Sequence, residues 1–98
     1  MAMKVGFLLR LEAQPGKGPE LGAFLQHGRE LVMAESGTVT WYAFRVSDSE
    51  YGIFDTFESE DAREAHHAGE LAQALASAAP ELLAGAPEVR RVQIVAAK

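Results

Sequence analysis

A two-layer α+β fold is what this sequence predicts, with a four-stranded antiparallel sheet and two helices packed on one of its faces. Three observations lead there. Residues 3–11, 38–46, 51–57 and 88–96 are rich in Val, Ile, Leu, Phe, Tyr and Trp at strand-like spacing. Stretches with apolar residues at helical spacing follow the first and the third of these runs. The second and third runs are joined only by Ser47-Asp48-Ser49-Glu50, a polar link short enough for a hairpin. The order is therefore β-α-β-β-α-β, the split βαβ or ferredoxin-like arrangement, whose right-handed crossovers put both helices on the same side.

The first strand is interrupted only by Lys4, Gly6 and Arg10 and is apolar on both alternating faces, as in a strand covered on two sides. Turn chemistry follows in Gln14-Pro15-Gly16-Lys17-Gly18, and Pro19 suits the first turn of a helix, where a missing N–H loses no partner. Leu21, Phe24, Leu25, Gly28, Leu31 and Val32 then fall on one helical face, and the helix is expected to end before Gly37. Residues 38–46 are β-branched and aromatic, the firmest strand signal in the chain. Ser59 is placed to cap the second helix, with Glu60 and Asp61 facing the partial positive charge of its first turn. That helix is expected to run to Pro80, weakened at Gly69, with a further turn through Leu82 and Leu83, before residues 88–96 close the sheet.

The strands carry apolar groups front and back: Val39 and Trp41 against Tyr42 and Phe44, Ile53 and Phe57 against Tyr51 and Phe54. Helices shield one face only, and an uncovered apolar sheet usually marks an association surface. A two-fold homodimer, sheet on sheet, is the expectation.

Ninety-eight residues suit one domain spanning 1–98. Nine Lys and Arg against fourteen Asp and Glu give −5, the wrong sign for holding a phosphate backbone, so no nucleic-acid partner is expected. An RNA-recognition module of the same element order needs a basic residue opening its third strand and a Val among its aromatics; Glu50-Tyr51-Gly52-Ile53-Phe54-Asp55-Thr56-Phe57 has acids at both places. The absence of Cys removes disulfides, thiolate metal sites and a thiol nucleophile. The apolar run at residues 5–9 is too short for a signal segment, and no stretch has the ~18 apolar residues of a membrane helix. A cytoplasmic chain without a membrane partner is expected.

Thr38-Val39-Thr40-Trp41-Tyr42-Ala43-Phe44-Arg45, then Gly52-Ile53-Phe54-Asp55-Thr56-Phe57, then the helix carrying Glu64-Ala65-His66, together resemble the antibiotic biosynthesis monooxygenase family of dimeric α+β barrels. The resemblance implies a pocket between helices and sheet that binds a small aromatic ligand such as a quinol. It also implies chemistry with no cofactor, neither flavin nor metal, in which the deprotonated substrate itself reduces O₂. Haem-degrading members of the family carry an Asn on the first strand, which this chain lacks throughout, so haem degradation is disfavoured. A dimeric module that binds or isomerises a small molecule, without oxygen chemistry, is the alternative.

His66 matches the family's helix histidine, and a group titrating near 6.5 suits a general base; it also suits plain packing on the sheet. Arg45 could hold a substrate oxyanion or pair with Asp55 or another acid across the hairpin, while Asp55, among aromatic neighbours, calls for a named partner in either role. These three are the catalytic candidates; Trp41, Tyr42, Phe54 and Phe57 are the candidate substrate wall. Trp41 and Tyr42 stand on opposite faces of one strand, so at most one of them lines the pocket. His67 points about a hundred degrees from His66 and reads as surface, His27 as solvated, and His66 with Glu70 as an ordinary helix pair; no metal site is expected.

Overall fold

The computed structural model describes residues 3–98, and its elements run β1 (Val5–Glu12), α1 (Gly18–Met33), β2 (Thr38–Arg45), β3 (Glu50–Phe57), α2 (Glu60–His67), α3 (Glu70–Leu82) and β4 (Glu88–Gln93). The strands form one sheet in the order β2-β3-β1-β4, every pairing antiparallel. This is the expected ferredoxin-like arrangement, with β1 and β3 central.

Register decides which side chains the helices cover. Phe7 stands opposite Asp55, Leu9 opposite Ile53 and Leu11 opposite Tyr51, and these residues share one face. Leu21 and Leu25 of α1 and Leu75 and Leu82 of α3 bury that face with Leu11, Tyr51 and Ile53. A second cluster, Val5, Phe7 and Phe57, lies under Ala62 of α2. Tyr51 thus joins Ile53 and Phe57 on the covered side, correcting the expected opposition: residues 51, 53 and 57 share one parity in a strand of period two. The other face presents a row in register, Tyr42, Phe54 and Leu8, with Tyr42 and Leu8 exposed.

The second helix is two helices. Ser59 caps α2, its Oγ accepting from the Ala62 N–H at 3.1 Å, as its position predicts. This helix then stops at Ala68, the Gly69 N–H donates to the His66 carbonyl at 2.9 Å, and Gly69 takes extended dihedrals to start α3. A Cβ at Gly69 would stand 3.1 Å from Glu35 Oε2 and 3.2 Å from the His66 carbonyl oxygen, so the missing side chain leaves room for the Glu35 carboxylate. Gly37 acts similarly: a Cβ there would meet the Ala62 Cβ at 2.7 Å, and its absence lets the link after α1 lie against α2. α3 passes through Pro80 to bury Leu82, and β4 ends at Gln93, short of the expected residue 96.

Candidate functional site

α2 ends with its last turn against the sheet, and amphipathic spacing puts Arg63 and His66, three residues apart, on the buried side. The His66 ring lies over Phe57, with centroids 5.1 Å apart, and is held between two carboxylates. Nδ1 is 2.5 Å from Glu35 Oε1, in the link between α1 and β2, and Nε2 is 3.1 Å from Asp55 Oδ2 on β3. Each carboxylate has its own support. Thr38 Oγ1 donates to Glu35 Oε1 at 2.6 Å, and the Phe7 N–H donates to Asp55 Oδ1 at 3.2 Å. Asp55 Oδ2 sits close to the imidazole but off the line of its N–H, and among the described residues it is a buried oxygen without a hydrogen bond.

Beside this pair lies a cavity of about 180 Å³ between α3, β1, β3 and β4. Phe7, Leu9, Ile53, Leu71, Leu75 and Val89 make its apolar walls, and Asp55, His66 and His67 are its ionisable members. An apolar cavity of roughly 150 Å³ accepts benzene, so the space suits one substituted ring. The His67 ring is exposed, as expected, yet it stands 5.4 Å from the Phe7 ring at the cavity's edge.

Burial is the largest single influence on His66 and pushes its pKa down, because an imidazolium loses hydration there. Asp55 and Glu35, the two anions beside its nitrogens, together outweigh burial, so the ring titrates above its ordinary 6.5. A raised value in the folded state means that the charged ring stabilises the fold fully below 6.5 and ceases to do so as pH climbs through the raised value. Denaturant titrations between about pH 6 and 9 are therefore expected to show stability falling with pH, and His66→Gln to flatten that slope.

The structure brings together three of the seven residues singled out in the sequence: His66, Asp55 and Phe57. Trp41 is opposite Asp55 across β2 and β3, but it faces a separate, open groove of about 520 Å³ beneath α1, which Arg29, Arg45 and Tyr51 also line. Arg45 is opposite Tyr51, four residues along the strand from Trp41 and so about 13 Å away. Neither an Arg45–Asp55 pair nor any other Arg45 ion pair forms among the described residues. Tyr42 and Phe54 pair with each other on the face away from the helices. Glu70 is not the partner of His66; Glu35 is.

Glu35 and Arg63 are the site residues that sequence reasoning passed over. Arg63 is buried and donates from Nη1 to the carbonyls of Gly6, at 3.3 Å, and Val92, at 3.2 Å, tying α2 to β1 and β4. Its guanidinium carbon lies 5.6 Å from the Phe7 ring centroid, and that of Arg91 5.5 Å. Arg63 had a visible signal, since it shares the His66 face of the helix. Glu35 had none, because no local period links residues 35 and 66. Among the described residues no group of three His, Asp or Glu is arranged to hold a metal ion, and no helix is long and apolar enough to cross a membrane.

No family model and no functionally curated protein matches the sequence. Solved structures do. The NE2512 protein of unknown function from Nitrosomonas europaea is 40% identical, with 99% of this chain and 94% of that one covered and a TM-score of 0.97. A Caulobacter crescentus protein provisionally named an antibiotic biosynthesis monooxygenase matches at 21% identity over 97% and 92% of the two chains, with a TM-score of 0.81. A second Nitrosomonas europaea protein with the same provisional name matches at 7% identity over 94% and 99%, with a TM-score of 0.84. The chain belongs to one family with NE2512, and its fold is that of the structures named for antibiotic biosynthesis monooxygenases.

Proposed function

We propose that this chain is a cofactor-independent monooxygenase that takes a small quinol or polyphenol into the His66–Asp55 cavity. The observation that carries the reading is the buried Asp55 Oδ2, free of hydrogen bonds, beside a carboxylate-held imidazole at the wall of a ring-sized apolar space. A phenolic O–H is the donor such an oxygen lacks. Two carboxylates already stand here, so a free phenolate would be repelled; the base works best in step with oxidation. As the ring gives an electron to O₂ its hydroxyl becomes strongly acidic, and the proton passes to neutral His66 while the ring becomes a neutral radical. Superoxide and the radical then combine, the imidazolium returns its proton to the peroxide, and loss of water leaves a hydroxyquinone. Quinol and O₂ balance hydroxyquinone and water, the quinol supplying every electron.

His66 is the base, Asp55 orients the hydroxyl, and Phe57 supports the imidazole from below. Arg45 and Trp41 bind substrate only if it extends into the groove under α1. We also propose that two copies pair through the face bearing Tyr42, Phe54 and Leu8, as its exposed apolar row supports. The test is oxygen uptake with monocyclic quinols and no added flavin or metal, expected to proceed with one O₂ per quinol. Binding without oxygen consumption across such a set would leave the isomerising or carrier reading, which the same proton-transfer pair serves.

A further inference from the structure

His66 borders two spaces through opposite ring nitrogens. Nε2 and Asp55 face the apolar cavity, whereas Nδ1 and Glu35 face an open cleft of about 620 Å³ between the α1–β2 link and α2, which Asp61 and Glu70 also line. Side-chain exposure climbs along the chain of contacts, 0% at Asp55, 9% at His66 and 21% at Glu35. Thr38 and the space left at Gly69 fix the outer carboxylate in place. The charged or titratable groups that α2 adds nearby are Arg63 and His67, both against the Phe7 ring, and Asp61, which lines the Glu35 cleft.

We infer that Asp55, His66 and Glu35 form a proton wire that connects the cavity to solvent while a ligand blocks the cavity's own mouth, Glu35 being the exit residue. An imidazole moves a proton by gaining it at one nitrogen and losing it at the other, and this ring has a carboxylate oxygen close to each. The inference rests on the proposed oxygenase chemistry for its purpose: a hydroxyquinone is a vinylogous acid, so its ionisation leaves one proton in the cavity at each turnover. The outer cleft, lined by Glu35, Asp61 and Glu70, is a suitable antenna for that proton.

The experiment reads His66 directly. Its ring Cε1–H resonance is followed through a pH titration with the cavity empty and then saturated with phenol, in the wild type and in Glu35→Gln. The glutamine keeps the size of the side chain and an acceptor for Nδ1–H but cannot relay a proton. Protonation exchange at the wild-type midpoint is expected to stay fast with phenol bound, and to slow by about two orders of magnitude in phenol-saturated Glu35→Gln. Asp55→Asn should leave the exit open and exchange fast. Equal exchange rates in wild type and Glu35→Gln would overturn the wire, since a merely structural Glu35 would move the midpoint and not the rate. Phenol binding is read separately, from the methyl resonances of Leu71, Leu75 and Val89. Their failure to shift would sink the proposed ligand; the cavity is then filled with benzene, read from the same methyl resonances, and equal rates in benzene-saturated wild type and Glu35→Gln would reject the wire while a slowed variant would uphold it.

Discussion

His66→Gln is expected to lower the turnover of a quinol by about 10²–10⁴-fold while the protein stays folded. Glutamine fills much of the imidazole's space above Phe57 and gives up only the stability that the charged ring supplies at low pH, but it has no group that gains and returns a proton. Since the proton moves only in the oxidising step, the loss should fall on kcat and leave KM nearly unchanged. The wild-type rate should rise with pH, because the reacting form of His66 is neutral and its pKa lies above 6.5. Asp55→Asn separates charge from shape. It removes one of the two anions that hold the His66 pKa up, so the inflection should move to lower pH while kcat falls. Oxygen-electrode rates at saturating quinol from pH 6 to 9 decide the matter. A His66→Gln rate within twofold of wild type would take this residue out of the chemistry.

Much of the fold can be read from local pattern because strand and helix periods are local. The β-branched and aromatic run of β2 and the Ser59 cap needed only their neighbours in sequence, and β2 parity correctly set Trp41 against Tyr42. The break at Gly69 was less plain, since a weak helix former lowers a propensity without fixing where the chain turns. The candidate site divided because of distance along a strand. Arg45 and Asp55 are neighbours in a hairpin drawn on paper, yet the register sets Asp55 against Trp41 and leaves Arg45 near the turn. Glu35 shows the opposite failure. It joins His66 across 31 residues of chain, through a contact that exists only once α2 packs beside the α1–β2 link.

Leu8→Asp should convert a dimer into a folded monomer. Leu8 projects from the centre of the sheet between Phe54 and Arg90 on the face away from the helices, so the change leaves the Leu11–Leu21–Ile53 core untouched. In a two-fold sheet-on-sheet pair the substitution enters twice, and each carboxylate sheds its water with only Arg90 beside it, at a cost of about 2 kcal/mol or more apiece, about three orders of magnitude in Kd together. Light scattering at micromolar concentration should give the wild type a mass near twice 10.6 kDa and the variant a single-chain mass. A single-chain mass for the wild type would remove the pairing altogether. The variant also asks what pairing does for the site. Phe54 points outward and Asp55 inward on consecutive residues of β3, so the partner would press on the strand that holds the proposed site's carboxylate. The cavity nevertheless lies on the helix-covered side of the sheet, away from the face that bears Leu8. Monomeric Leu8→Asp is therefore expected to keep turnover within a few-fold of wild type, and a loss as deep as that of His66→Gln would place part of the reacting centre on the neighbouring subunit.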